Sequence, residues 1–381
     1  MRLWQLQYVL AIAVSANISM QNARAENGVS ANEVRIGTVN AQSGPAAGLG
    51  TGINVGIEAY FKRVNTAGGI NGRSLRLISK DDRYEPAHSA ALTEELIERD
   101  NVFALLGFLG TPTSRAALPI ALRAQVPYLF PVTGAEFLRT PVRKWVFNVR
   151  ASYIDETEAL IERLTKDLKI SKIAVLMQDD SFGDSVKSGV TGALSKRKLN
   201  IHAEARIARN SMDVTGAVAK LKQAKPEAIV FVGTYRQLSA TVKMAKFTGL
   251  QARFVTVSFI GTEQFIASAG NDGDGVFITQ VMPSPHDASL PIVRQYLADV
   301  PASDVGYTSL EGYINANVFV QALTAAGAEP TRAALVNTLS HLQSDIGGFP
   351  VSFSPTHHQG SSAVYLTRVE AGKALPVSNM R

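Results

Sequence analysis

Thr111, Thr113 and Ser114 sit in the run Gly107-Phe-Leu-Gly-Thr-Pro-Thr-Ser114, between an apolar stretch that reads as strand and one that reads as helix. That placement predicts Thr111 as the N-cap and Pro112 as the first helical residue. A helix start has backbone N–H groups without acceptors and the positive end of the macrodipole, so with the hydroxyls it suits a carboxylate. An ordinary helix cap fits the same residues. A second donor loop, Pro131-Val-Thr-Gly-Ala-Glu136, holds Thr133 and Gly134 and follows the stretch ending at Phe130. Loops at the carboxyl ends of neighbouring parallel strands face one crevice, where ligands bind. Two more loops, Gln178-Asp-Asp-Ser-Phe-Gly183 and Gly233-Thr-Tyr-Arg-Gln237, offer Phe182 and Tyr235 as rings to sandwich an apolar body, with Asp180 or Arg236 for a charged group. Either ring fits a core position equally well.

Other chemistries lack their residues. In Gly48-Leu-Gly-Thr-Gly52 the third glycine of a dinucleotide fingerprint would fall at Ile53, and no Gly-Lys-Ser/Thr phosphate loop exists. Gly-x-Ser-x-Gly is absent. His357-His358 are adjacent, so they point apart on a strand, and a surface turn is the better reading than a metal pair. With no cysteine there are no disulfides, thiolate sites or lipid-modified Cys. The expectation is a non-enzymatic chain without metal or cofactor.

The elements that must position these loops follow from the chain as a whole. Its 381 residues, 46% apolar and 18% charged, suggest about two globular domains. The net charge of +6 is spread without any run of four Lys/Arg, which gives no footing to nucleic acid. Met1-Arg2, an apolar stretch to Val14 and Ala23-Arg24-Ala25 have the form of a signal peptide over residues 1–25, predicting export to a Gram-negative periplasm. Short apolar runs beginning at Val34, Leu75, Val102, Val126, Ile173, Ala228, Phe254 and Val276 alternate with helical stripes such as Ile53, Ile57, Phe61 and Val64. Such alternation predicts parallel sheets covered by helices on both faces. The pattern restarts at Ile173, with Arg143–Ser152 read as a crossing strand and the tail from Ile346 as strand pairs that cross back.

Val34-Arg-Ile-Gly-Thr-Val-Asn-Ala-Gln-Ser-Gly-Pro45, Asn65-Thr-Ala-Gly-Gly-Ile-Asn-Gly-Arg73 and the pair Asp81-Asp82 resemble the motifs of the leucine/isoleucine/valine-binding type of periplasmic binding protein. These proteins are substrate-capturing subunits of ABC importers. The resemblance runs from about Val34 to the tail. It implies an α/β, two-lobed type I periplasmic-binding-protein fold, with two parallel doubly wound sheets joined by three crossing strands. The lobes are expected at 26–148 plus 283–345 and at 149–282 plus 346–381, closing on a ligand and presenting it to an inner-membrane ABC permease. It also implies that Thr111, Thr113, Thr133 and Gly134 bind a ligand carboxylate and that Phe182 and Tyr235 supply ligand-contacting rings. One departure stands out. The loop Ser258-Phe-Ile-Gly-Thr-Glu263 carries Phe259 about where amino-acid binders of this type place an acid for the α-ammonium. Either another carboxylate (Asp180, Glu263 or Glu311) serves, or the ligand is an aromatic or aliphatic carboxylate without an α-ammonium. A periplasmic ligand sensor or adaptor of the same fold is the alternative function.

Overall fold

The computed structural model describes residues 26–381, so the expected signal peptide lies outside the described residues. Near the amino terminus the chain builds β1 (Glu33–Asn40), α1 (Ala47–Thr66), β2 (Ser74–Asp81), α2 (Pro86–Glu98), β3 (Ala104–Leu106), α3 (Thr111–Arg123), β4 (Tyr128–Leu129) and β5 (Val146–Phe147). The five strands form one parallel sheet in the order β2-β1-β3-β4-β5. β3 and β4 are buried throughout, because helices cover both faces and leave no polar side for alternation.

The second half repeats the logic with α4 (Tyr153–Lys166), β6 (Ile173–Gln178), α5 (Ser181–Ser195), β7 (Ala203–Ile207), α6 (Thr215–Ala224), β8 (Ala228–Val232), α7 (Tyr235–Thr248), β9 (Arg253–Thr256), α8 (Thr262–Ala269) and β10 (Phe277–Gln280). The chain then adds α9 (Pro291–Asp299), α10 (Tyr307–Ala325), α11 (Arg332–Leu339), a small pair β11 (Gln343–Asp345) and β12 (Pro350–Ser352), and a hairpin β13 (Tyr365–Glu370) and β14 (Lys373–Pro376). The second sheet runs β14-β13-β10-β9-β8-β6-β7. Its β13 and β14 are antiparallel, so it is mixed rather than wholly parallel. β7 escapes sequence reading because it is an edge strand whose Glu204 and Arg206 break the apolar run, pairing only with β6.

α10 returns to pack on α1. Contact is close because Gly56 and Gly312 lack side chains: a Cβ would lie 1.9 Å from the Ser309 carbonyl oxygen in the first case and 2.2 Å from that of Ile53 in the second. The tail stays with the first sheet longer than its sequence suggests. Phe353 stacks on Phe130 at 6.2 Å and meets Phe147 edge-on at 5.4 Å, and Gln359 bridges Asn148. The return to the second sheet therefore falls after Gln359, not at Ile346. His357 is exposed and His358 is buried against the Phe147 ring at 3.9 Å, the opposite orientations expected of neighbours.

Candidate functional site

The carboxyl ends of both sheets point into one cleft, and the loops leaving them meet there. α3 starts one residue earlier than the sequence suggests: Gly110, at φ +98°, is the N-cap and Thr111 is already helical. Glycine is required because a Cβ there would lie 2.4 Å from the Tyr84 ring. Thr111 Oγ1 is 2.7 Å from Thr133 Oγ1, which is in turn 3.3 Å from the Tyr153 hydroxyl and accepts from the Ala135 N–H at 3.3 Å. Thr111, Thr133 and Tyr153 are all buried. Burial pushes the Tyr153 hydroxyl up to about 12, so it stays neutral while accepting from Thr133. Thr113 differs, since its hydroxyl donates to the Leu109 carbonyl within the same turn. The Gly134 carbonyl accepts from the Tyr153 N–H at 2.7 Å, which presses the second donor loop onto the start of α4.

Aromatic rings from both halves continue this cluster. Asp180 caps α5 by accepting from the Phe182 N–H at 2.9 Å, and so fixes the Phe182 ring. Phe182 packs at 5.4 Å on Tyr153 and 4.8 Å on Phe259, and Phe259 lies 6.0 Å from Tyr84. The rings against Phe182 are thus Tyr153 and Phe259 rather than Tyr235. Tyr235 reaches α1 instead, its hydroxyl accepting from the Gly48 N–H at 3.4 Å while Gln264 donates to the Gly48 carbonyl at 3.3 Å. Arg236 lies over the Tyr235 ring at 6.0 Å.

The floor of the cleft joins Phe259 and Glu311, which the sequence already raises as candidates, to residues it does not single out as ligand contacts, Arg150 above all. A cavity of about 20 Å³, room for about one water, is lined by Leu49, Leu109 and Val132 from the first half, by Ser258, Phe259 and Gln280 from the second, and by Arg150, Met282 and Glu311. Arg150 is 1% exposed, lies three residues past β5, and donates from Nη2 to the Ser258 hydroxyl. Its Nη2 is 3.6 Å from Glu156 and its Nη1 is 3.4 Å from Glu311. Glu156 also accepts from the Ser258 N–H at 2.7 Å and the Thr279 hydroxyl at 2.6 Å. Burial pushes both carboxyls up, and the Arg150 charge opposes it. A lone arginine in the apolar run Val146-Phe-Asn-Val-Arg150 was the available signal. At the outer lip, Glu85 accepts from Arg209 Nη2 at 2.9 Å and from Asn210 Nδ2 at 2.8 Å, and beneath it the buried Gln178 donates to the buried Tyr84 hydroxyl at 3.4 Å. Among the described residues no helix is long and apolar enough to cross a membrane.

Two α/β halves that meet around hydroxyl donors, rings and a buried charge define a bilobed solute receptor. A periplasmic binding protein family model matches residues 33–374, and the chain belongs to that family. A crystal structure described as a possible leucine/isoleucine/valine-binding protein from Rhodopirellula baltica is 34% identical, with a TM-score of 0.86 over 92% of this chain and 97% of that one. An amino acid binding protein of Pseudomonas aeruginosa is 24% identical over 86% of each chain. The Leu/Ile/Val-binding protein of Escherichia coli is 22% identical over 69% of this chain and 72% of its own. The protein is a leucine/isoleucine/valine-binding-protein-like subunit of an ABC importer, non-catalytic, with the type I fold. It captures its solute by lobe closure, and family membership implies a periplasmic location.

Proposed function

We propose that the cleft captures a small carboxylate, an amino acid or a related acid, and hands it to an inner-membrane ABC permease. The observation that carries this reading is the buried circuit Thr111–Thr133–Tyr153–Phe182–Phe259, in which donors from one half and rings from the other share one cluster. On separation of the lobes Thr133 parts from Tyr153, so the Thr111–Thr133 hydroxyl pair and the first turn of α3 can turn to a carboxylate, and closure returns the rings to its apolar body. A ligand that touches both lobes only when they are together shifts the population toward closure by that difference in contact. The relatives named for amino acids support the ligand class. The ligand-binding set is Thr111, Thr113, Thr133, Gly134, Phe182, Tyr235 and Phe259, with Thr113 acting through its backbone because its hydroxyl is committed to Leu109. One lobe comprises 26–148 with the segment from 283 to about Gln359, and the other comprises the remainder. Export with removal of residues 1–25 completes the proposal.

Calorimetric titration with amino acids and simple carboxylates tests it. Thr111→Ala is expected to weaken the bound acid by about 1.5–3 kcal/mol, the range for a hydrogen bond to a charged group. Thr113→Ala is expected to change affinity little. Equal losses in both variants, or none in Thr111→Ala, would remove the proposed cradle.

A further inference from the structure

We infer that Arg150 is the charge partner of the ligand, and that the cleft is therefore built for an acid with an apolar body and no α-ammonium. The inference rests on the reading that the cleft closes on a small carboxylate, and it selects among the acids. Arg150 carries five N–H donors, yet Nε has no partner and Nη1 meets Glu311 at 3.4 Å as an ion pair without a hydrogen bond, although the side chain is wholly buried. A guanidinium left with open donors inside a protein is costly unless something completes it. This one lines the cleft floor, in a cavity walled by Leu49, Leu109, Val132, Phe259 and Met282. With the lobes together this cavity has room for about one water, so a carboxylate would reach those donors with the lobes apart, and the same walls would then close on its hydrocarbon or ring.

The carboxylates near Arg150 fit an acid better than an ammonium. Glu156 is already committed to Ser258 and Thr279. Glu311 lies 3.4 Å from Nη1 and is pushed up by burial and by the neighbouring Glu156 charge. It can take a proton when a third carboxylate, that of the ligand, arrives beside Arg150, leaving Glu156 and the ligand as the charged pair. Phe259 lines the same cavity with a ring, which has no carboxylate oxygen to pair with an ammonium.

The test is calorimetry on the full chain with carboxylates from acetate to decanoate, benzoate, and the matching amides and α-amino acids, using the wild type, Arg150→Gln, Arg150→Lys and Glu311→Gln. Expected are binding of one or more simple carboxylates, no binding of the matching amide, a loss of about ten- to a hundredfold in Arg150→Gln, and retained or tighter binding in Glu311→Gln. Should Arg150→Gln fail to fold, Arg150→Lys and Glu311→Gln carry the same comparison. If an α-amino acid binds while its deaminated acid does not, and Glu311→Gln abolishes that binding, Glu311 holds an ammonium; the inference falls and the reading of the cleft stands. If no acid in the panel binds, both fall.

Discussion

The floor and the lip of the cleft both join the lobes through charge, but they do so in different media. At the floor, Arg150, Glu156 and Glu311 are buried, with Ser258 and Thr279 completing Glu156. At the lip, Glu85 meets Arg209 and Asn210 at the edge of solvent, the Glu85 side chain being 39% exposed and that of Arg209, which also pairs with Asp180, 24%. Taking ions out of water is expensive, so a buried set is tightly interdependent, whereas a screened pair forms and breaks at little cost. The floor is therefore suited to fixing what is bound, and the lip to setting how readily the lobes part.

Three measurements can break or sharpen that contrast. The largest effect is expected for Glu156→Ala, which leaves Arg150 with Glu311 as its one close counter-charge, the Ser258 N–H without its acceptor, and the Thr279 hydroxyl with only the Thr256 carbonyl at 3.4 Å. Denaturant unfolding should show a loss of about 3–5 kcal/mol. A loss below about 1 kcal/mol would mean that the floor behaves like the lip.

Glu263 comes next. It stands between α8 and the start of α10, with Oε1 accepting from the Tyr307 N–H at 3.2 Å and Oε2 buried without a partner. Desolvation raises it to about 7 from the usual 4.5. Because the folded protein holds this proton more tightly than the unfolded chain, the group favours folding below about pH 4.5 and progressively disfavours it as pH rises toward 7. Glu263→Gln should flatten stability over that window and raise it at pH 8 by roughly 2 kcal/mol. An unchanged pH profile would show that water reaches the carboxyl.

The smallest effect is expected at the lip. Glu85→Ala should change stability by less than about 1 kcal/mol and shorten ligand residence a few-fold in stopped-flow release, with an effect that fades in high salt. A large loss of stability there would erase the distinction between the two regions.

Much of this architecture was legible along the chain. Alternating apolar runs and helical stripes identify two α/β halves, and the motifs at Val34–Pro45, Asn65–Arg73 and Asp81-Asp82 point to the family. The donor loops at Thr111 and Thr133 were legible too, because Gly, Pro and Thr punctuate strand ends in a readable way. The partners of those loops were harder to read. Phe182 and Tyr235 are legible as rings for an apolar body, but that the Phe182 ring lies on Tyr153 and Phe259 is not, since this depends on how the start of α4 and the loops after β6 and β9 pack together within one lobe. β7 was hidden by the charges an edge strand tolerates, and the late return of the tail was decided by Phe353 finding Phe130 and Phe147 across more than two hundred residues.

The sequence by itself determined local matters: where backbone donors are left open, which faces must be buried, and which loops leave the carboxyl ends of strands. Packing of distant segments alone set Arg150 on the cleft floor with Nε unpartnered and Nη1 held only by the Glu311 charge, and brought Glu263 to the start of a helix it does not belong to, while the first turn of α3 committed the Thr113 hydroxyl to the Leu109 carbonyl. Local geometry follows from the residue and its near neighbours. The value of a charge or a hydroxyl is set by desolvation and by partners that arrive from distant parts of the chain.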